Sequence, residues 1–205
     1  LVKELAHFRT PLRDTMPAWE DTEGRPITRE NAPNGWNEAL NQPLFGYEEL
    51  DKPTRLSVPG HPTDRTYVFG RIWSFAYKVD GSDEELVVAT TRPETMFGDV
   101  AVAVHPDDPR YKHVHGCKLV HPFCERKLDV ILDGELVDMA FGTGAVKVTP
   151  AHDPNDFACG RRHGLAEITI LTDDGRIADG YGAFSGMMRF EARIALLAKL
   201  KALGL

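Results

Sequence analysis

The chain has 205 residues, a hydrophobic content of 42% and a formal net charge of −7 at pH 7. This length is enough for one domain of ordinary size with a hydrophobic core, with or without an extension. No apolar run approaches the roughly 20 residues that cross a membrane, and the first residues lack a signal-peptide pattern. The negative charge argues against tight binding of nucleic acid by this domain alone, but it leaves contact with a single-stranded end open.

The three cysteines, at positions 117, 124 and 159, show no C-x-x-C spacing. An odd and sparse set of this kind is typical of a reducing compartment. Metal motifs such as H-E-x-x-H are absent from the sequence. We therefore expect no structural metal site.

Residues 1–46 differ in composition from the rest of the chain. They are rich in Pro, Asn, Glu and Asp and lack sustained hydrophobic periodicity, and turns are predicted at residues 33–35 and 42–43. We expect an extension or linker of unclear structure over residues 1–46, and a folded domain over residues 47–205.

The folded part has the alternating pattern of short β-strands. The predicted strands are residues 56–60, 67–79, 85–91, 100–104, 118–120, 128–132, 136–139 and 167–171. Residues 91–99 predict one capped helical turn, since Pro93 stands early in it and Gly98 near its end. Residues 188–203 predict the clearest helix, with Phe190, Ile194 and Leu197 on its apolar stripe.

No long helices alternate with these strands, so a doubly wound parallel sheet is not expected. The pattern favours a mixed α/β (α+β) domain with a largely antiparallel, β-barrel-like core. Short peripheral helices and a C-terminal helix complete the predicted fold.

Residues 142–156 combine a glycine turn, a short strand and the start of a helix. Lys147 and Thr149 stand two apart on the strand, so they point to the same face. Asp153 is the predicted N-cap of the helix, and Asp156 lies in its first turn. An ammonium, a hydroxyl and two carboxylates therefore converge beside a strand-to-helix turn.

Each of these residues also has a purely structural explanation. Asp153 serves as a helix cap, Asp156 favours the positive helix end, and Lys147 fits a solvated strand edge. The threonines at 90, 91 and 95 fit strand and cap positions, and Arg92 with Glu94 fits a surface ion pair. No G-x-S-x-G motif indicates a nucleophile. Sequence physics alone leaves both interpretations open.

Two stretches resemble the editing insertion of class I aminoacyl-tRNA synthetases, the valyl, isoleucyl and leucyl enzymes. They are residues 89–95 with Gly98-Asp99, and residues 142–156, in the order that the family shows. The likeness covers roughly residues 56–205 and is greatest to the valyl type, in which Lys stands at the position of Lys147. The HIGH and KMSKS signatures of the aminoacylation site are absent, so the chain resembles the editing domain alone, cut from a larger enzyme.

The resemblance implies hydrolysis of the aminoacyl ester of mischarged threonyl-tRNA(Val). Threonine is nearly isosteric with valine, and the synthetic pocket of the valyl enzymes themselves is known to discriminate between the two only about a hundredfold. A second site must therefore read the hydroxyl. The alternatives are an isoleucyl-type editing domain and a non-catalytic module that binds the tRNA 3′ end.

The resemblance also implies roles for individual residues. Asp156 holds the substrate α-ammonium, and Lys147 and Thr149 contact the threonyl hydroxyl. Asp153 supports the polar wall or the attacking water. Four further residues line the pocket and position the terminal adenosine and the ester: Thr90, Thr91, Arg92 and Thr95. Asp156, Asp153 and Thr91 form the expected catalytic group, in which water attacks the ester without a protein nucleophile.

Editing by this family implies no cofactor and no metal, since ATP and Mg serve only the full-length enzyme. The expected partners are the 3′ end of tRNA(Val), its threonyl-adenosine moiety and the remainder of the synthetase chain, with no membrane. The expected location is cytoplasmic, and a mitochondrial form is compatible with the sequence.

Overall fold

The computed structural model describes residues 28, 30, 36–37, 42–43, 52–58 and 61–205. Most of the predicted extension, residues 1–46, lies outside the described residues. Within it, Trp36–Asn37 (β1) and Gln42–Pro43 (β2) form an antiparallel pair. The turn predicted at residues 42–43 is therefore wrong. A proline is compatible with this position because it can occupy an edge strand without a ladder N–H.

The remaining elements follow in chain order. The strands are β3 (Thr54–Leu56), β4 (Tyr67–Phe69), β5 (Trp73–Val79), β6 (Glu85–Thr90), β7 (Ala101–Val104), β8 (Lys118–Val120), β9 (Lys127–Leu132) and β10 (Ala145–Val148). The described residues also contain two α-helices, α1 (Pro154–His163) and α2 (Arg189–Leu203), and three short 3-10 helices, Pro93–Gly98, Lys112–Val114 and Gly182–Phe184. No helix in the described part of the chain is long and apolar enough to span a membrane.

Six strands form the main sheet, in the order β10-β7-β9-β8-β5-β6. Every pairing in it is antiparallel except that of β7 with β9, which is parallel. The two edge strands, β6 and β10, lie next to each other, so the sheet is nearly closed. This arrangement confirms the predicted α+β fold with a largely antiparallel, barrel-like core.

The register of β7 with β10 decides which side chains face the barrel interior. Val102 pairs with Lys147 and Val104 pairs with Ala145, and directly opposed residues share a face of the sheet. Val102, Val104 and Ala145 belong to the main hydrophobic core, so Lys147 also points inward. The alternate residues pack in a second cluster with Cys159 of α1. Helix α1 therefore covers the outer face of these strands.

Helix α1 begins where its sequence predicts. The Asp153 carboxylate accepts hydrogen bonds from the backbone N–H groups of Asn155 (2.9 Å) and Asp156 (3.3 Å). Gly164 ends the helix with φ of 64°, a left-handed conformation that glycine adopts without a steric penalty. The capping interpretation of Asp153 is thus confirmed.

Four predicted strands differ from the structure. Gly70, with φ of 71°, divides residues 67–79 into β4 and β5. The first strand, predicted at 56–60, instead ends at Leu56 and begins at Thr54, because it pairs over its full length with β4.

Residues 136–139 and 167–171 do not form the strands predicted there. The Asp133 carboxylate accepts from the N–H groups of Glu135 and Leu136, which holds the chain in a turn. In the second segment, the N–H of Ile170 donates to His152 Nε2 at 3.0 Å. Side chains thus take the backbone donors that a ladder would need.

Helix α2 has its predicted length but a different buried face. The buried residues are Phe190, Ala192, Arg193, Leu196 and Leu200, whereas Ile194 is 57% exposed. Arg193 therefore lies on the buried face of α2, where Ile194 was expected.

Arg193 forms a buried bidentate ion pair with Glu94 of the 93–98 turn. Its Nε and one terminal nitrogen each lie 2.7 Å from a Glu94 oxygen, and the two side chains are 4% and 1% exposed. The guanidinium also lies over the rings of Trp73 and Phe190. The expected surface pair of Arg92 with Glu94 is therefore wrong, because Glu94 anchors the turn to α2.

This pair gives a test of the fold. Arg193→Met should destabilise the chain by about 3–5 kcal/mol, because Glu94 remains buried without its counter-charge. The double variant Arg193→Met/Glu94→Leu should recover much of that loss. Urea unfolding measures both free energies. Arg65→Met, at a pair with Glu191 whose arginine is 54% exposed, serves as the control and should cost less than about 1 kcal/mol. Additive losses in the double variant would contradict the prediction.

Candidate functional site

The predicted site residues lie where the end of β6, the 93–98 turn, the end of β10 and the first turn of α1 meet. They form a buried floor and a more exposed rim. The floor consists of Lys147, Thr149 and Asp156, which are 6%, 1% and 8% exposed. The rim contains Arg92 and Asp153, whose side chains are 26% and 35% exposed.

Lys147 is held by two hydrogen bonds inside the barrel. Its ammonium donates to Asp99 Oδ1 at 2.7 Å and to Thr149 Oγ1 at 2.6 Å. The solvated-edge interpretation is therefore wrong. A buried ammonium needs an opposite charge, and Asp99 supplies it, although Asp153 and Asp156 stand much nearer to Lys147 in the sequence.

Asp99 is a residue that sequence reasoning missed as part of the site. It is fully buried and accepts from Lys147 and Thr149 with Oδ1, while Tyr77 donates to Oδ2 at 2.6 Å. Asp99 stands at the end of the first motif, next to Gly98, but 48 residues separate it from Lys147. That position in the motif was the only sequence signal for it, and Tyr77 had none.

Asp156 joins the floor from the first turn of α1. Its Oδ2 accepts from the N–H of Thr149 at 2.8 Å. Burial raises the pKa of this carboxyl to about 6, and the nearby Lys147 charge and the Thr149 N–H oppose the increase. Asp156 is therefore a carboxylate whose charge is costly to bury and which gains from a cation beside it.

The rim is built around Arg92. One terminal nitrogen of its guanidinium donates to the His152 carbonyl at 2.8 Å and to Asp153 Oδ2 at 3.2 Å. Thr90 Oγ1 accepts from the N–H of Arg92, and Thr95 Oγ1 donates to its carbonyl. Asp153 thus links the rim to the helix that carries Asp156.

The threonines do not occupy equivalent places. Thr90 and Thr91 are half-buried on the approach to the turn, whereas Thr95 is 4% exposed. The hydroxyl of Thr95 donates to the Arg92 carbonyl within the turn, so Thr95 does not act as the helix cap that its cap interpretation suggested. The structure therefore places Thr90 and Thr91 at the rim and Thr95 in the support beneath it.

His152 is a second residue that sequence reasoning missed. Burial, followed by the charges of Arg92 and Lys147, lowers the pKa of this histidine to about 4. Its Nε2 accepts from the Ile170 N–H, which requires a neutral ring. The imidazole therefore fixes the loop after β10 to the segment that follows α1.

One group of potential metal ligands occurs among the described residues, at Asp133, Cys159 and His163. The Arg162 guanidinium donates to both oxygens of Asp133, at 2.8 and 3.0 Å. The Asp133 carboxylate, which a metal ion would need as a ligand, is therefore already paired with the Arg162 guanidinium. We interpret the group as an anchor between the 133–136 turn and the last turn of α1.

The floor and rim together offer a defined set of interactions. The floor presents an ammonium, a hydroxyl and a carboxylate within one buried network, and the rim presents a guanidinium and half-buried hydroxyls. Such an arrangement suits a small polar group that carries its own cation and hydroxyl, attached to a larger group at the surface. Among the residues of the floor and the rim, no serine or cysteine lies beside a basic side chain.

The chain is similar to several known proteins, in sequence and in structure. Residues 110–185 match the sequence model of the family described as leucyl-tRNA synthetase, editing domain. Among solved structures, a LeuRS–tRNA–LeuAMS ternary complex from Agrobacterium radiobacter K84 covers 62% of this chain and 18% of that chain, with 20% identity and a TM-score of 0.47.

The curated relatives are much more similar in sequence. The valine–tRNA ligase of Schizosaccharomyces pombe is 53% identical over 183 residues, which are 87% of this chain and 18% of that protein. The mitochondrial enzyme of Saccharomyces cerevisiae is 54% identical over 81% of this chain and 15% of its own length. The human enzyme is 53% identical over 83% and 14%.

The chain thus spans less than a fifth of the length of these three relatives. The part that matches carries both motifs, the nearly closed barrel and the buried Lys147 network. The chain belongs to the editing domains of class I aminoacyl-tRNA synthetases, and it is most like that of valyl-tRNA synthetase.

Proposed function

We propose that this chain hydrolyses the ester bond of threonyl-tRNA(Val), as the editing domain of a valine–tRNA ligase. The observation that carries the proposal is the buried pair of Lys147 and Thr149 beside Asp156. This floor has hydrogen-bonding groups at a depth where an apolar substrate side chain could not satisfy them.

Asp156 binds the α-ammonium of the aminoacyl group in this proposal. A carboxylate that is 8% exposed and has a raised pKa gains from a bound cation, which offsets part of its desolvation. Its neighbour Asp153 is committed to the helix cap and to Arg92. Asp153 therefore orients the helix end and the rim.

Lys147 and Thr149 read the substrate side chain. A threonyl hydroxyl forms hydrogen bonds with them, whereas the methyl group of valine leaves a buried donor and acceptor without partners. The cost of such a loss is about 1–3 kcal/mol. The site therefore binds threonine better than valine. Editing requires this order, because valine is the correct amino acid and must not be hydrolysed.

The rim positions the reacting ester. Arg92, Thr90 and Thr91 lie on the exposed side of the floor, where the ribose and adenine of the tRNA end would dock. Thr95 lies in the turn that follows them and donates to the Arg92 carbonyl. Water attacks the ester carbonyl, oriented by this rim and by the free ribose hydroxyl of the substrate, since aminoacyl esters are labile and positioning contributes strongly to their hydrolysis.

The proposed reaction uses no metal and no cofactor, while ATP and Mg serve aminoacylation elsewhere in a full-length ligase. The partners are the 3′ end of tRNA(Val) and the rest of the synthetase chain. The related mitochondrial enzymes make a cytoplasmic or a mitochondrial location compatible with this proposal.

The first test compares ester substrates. The chain should release threonine from threonyl-tRNA(Val) faster than valine from valyl-tRNA(Val), as measured by loss of acid-precipitable label.

Asp156→Asn should abolish this release, because the amide keeps an acceptor for the Thr149 N–H but carries no charge for the α-ammonium. Asp138→Asn, in an exposed turn, is the control and should retain the wild-type rate. Threonine release by Asp156→Asn at the wild-type rate would refute the assigned role, and preferential release of valine from valyl-tRNA(Ile) would favour isoleucyl-type editing.

The pH dependence follows from the same carboxyl. Because the pKa of Asp156 is about 6 in the fold, hydrolysis should decrease as the pH falls through 6, when the carboxylate that binds the ammonium becomes protonated. Single-turnover rates between pH 5 and pH 8 measure this at enzyme concentrations well below saturation, where they report the pKa of the unoccupied site. A rate that stays constant down to pH 5, after correction for uncatalysed hydrolysis, would exclude Asp156 as the ammonium ligand.

The effect of Asp156 on the stability of the fold changes with pH in the opposite direction to its effect on hydrolysis. A raised pKa stabilises the fold at low pH, and that contribution is lost as the pH rises from the ordinary pKa of an aspartate toward 6. Asp156→Asn should therefore gain stability relative to wild type between pH 4 and pH 7.5. Urea unfolding at the two pH values checks the direction, and an equal difference at both would contradict it.

The choice of substrate is tested at Thr149. Thr149→Val keeps the shape of the side chain but removes its hydroxyl, whereas Thr149→Ser keeps the hydroxyl. The valine variant should reduce the affinity ratio between amide-linked threonyl- and valyl-adenosine, by about tenfold for a lost bond of roughly 1.4 kcal/mol. The serine variant should retain most of the ratio. Equal ratios in both variants, measured by calorimetric titration, would show that Thr149 does not read the side chain.

A further inference from the structure

Asp99 lies behind the two residues that the proposed function assigns to substrate selection, and it binds both of them. Its Oδ1 accepts from Lys147 and from the Thr149 hydroxyl, while Oδ2 accepts from the Tyr77 hydroxyl at 2.6 Å. Tyr77 lies on β5 and Lys147 on β10, and three strands separate these two in the sheet order. The Tyr77–Asp99 bond therefore crosses the interior of the barrel.

These bonds fix which hydrogen-bonding groups remain for a ligand. The Thr149 hydroxyl donates its one hydrogen to Asp99 and accepts from Lys147, so a single lone pair is left to accept. The Lys147 ammonium uses two of its three N–H groups on Asp99 and Thr149, so one donor is left. The pair thus offers one acceptor and one donor side by side.

A hydroxyl group is complementary to such a pair, because it can donate to Thr149 and accept from Lys147 at the same time. A methyl group can do neither. This polarity depends on the Thr149 hydrogen staying on Asp99. If the Asp99 carboxylate rotated, the Thr149 hydroxyl could turn and become a donor, and the site would lose its specific match to a hydroxyl.

We propose that Tyr77 is a positioning residue that holds the Asp99 carboxylate in this orientation, and so sets the site to select aminoacyl groups with a free β-hydroxyl. The inference rests on the proposed function and extends it to a residue that does not touch substrate. It names the selected class by its chemistry, a side chain that both donates and accepts a hydrogen bond at the β-carbon.

The surroundings of Tyr77 support this role. The residue is fully buried, and its ring packs edge-on against Phe75 with centroids 5.4 Å apart. Burial and the charge of Asp99 raise the pKa of its hydroxyl well above the ordinary value, so it remains a donor at neutral pH.

The backbone of Asp99 is held independently of Tyr77. Arg126 donates to the carbonyls of Phe97 and Asp99, and His121 Nε2 lies 2.9 Å from the Met96 carbonyl. The Tyr77 hydroxyl is therefore left to control the rotation of the carboxylate rather than the position of the turn.

The test uses Tyr77→Phe in the 205-residue chain, with three amide-linked adenosine ligands. They carry threonine, valine, or 2-amino-3-fluorobutyrate, in which fluorine replaces the hydroxyl at similar size but cannot donate. Wild type should bind the threonyl ligand most tightly. In Tyr77→Phe, the preference for the threonyl ligand over each of the other two should fall by about three- to tenfold, the range expected for one hydrogen bond.

Tyr67→Phe is the matched control. Its hydroxyl also lies 2.6 Å from a carboxylate, that of Glu191, and its ring is 4% exposed, but this bond lies outside the floor and the rim. It should lower stability less than Tyr77→Phe, because the Glu191 side chain is 29% exposed, and it should leave the ligand preferences at their wild-type values. A purely structural role for Tyr77 would give the same result in both variants.

Ligand-induced stabilisation against urea gives the affinities even if Tyr77→Phe is less stable, because binding to the native state shifts unfolding by mass action. Wild-type selectivity that persists in Tyr77→Phe would overturn the inference and leave the proposed function intact. Equal binding of all three ligands by wild type would overturn the proposed function, and the inference with it.

Discussion

The ion pair between Lys147 and Asp99 is the interaction on which the arrangement of the site depends. An ammonium inside a barrel is costly unless an opposite charge and further acceptors surround it. Asp99 and Thr149 provide these partners at 2.7 and 2.6 Å. Because Asp99 ends the turn after β6, the pair joins that turn to β10. The ion pair that neutralises Lys147 therefore also fixes the position of the turn relative to β10.

The turn at Pro93–Gly98 is held from both ends by buried charges. Glu94 binds Arg193 of α2, and Asp99 binds Lys147 of β10. Apolar pairs of similar volume often stabilise a fold as well as buried ion pairs do. Stability alone therefore does not account for these charges. What they add is orientation, because each carboxylate accepts at both oxygens and its rotation is thereby restricted.

The local features of the site were predictable from sequence, and the long-range ones were not. A period of two placed Lys147 and Thr149 on one face, and capping rules placed Asp153 at the helix start. The partner of Lys147 was not predictable, because pairing across the barrel depends on tertiary register rather than on spacing. The same limit applies to Arg193, whose partner is 99 residues away. Predicted strands failed where side chains such as Asp133 bind the backbone N–H groups of their neighbours.

The near closure of the sheet has a mechanical consequence. Within the described pairings, β6 and β10 lie side by side but share no ladder of backbone hydrogen bonds. Separating any two paired strands breaks such a ladder, whereas widening the gap between β6 and β10 breaks none. The sheet is therefore most compliant along one seam, which has Thr90 on one side and Lys147 on the other. A group that enters the barrel along this seam meets the least backbone resistance, and a group bound across it bridges the strands where the sheet itself does not.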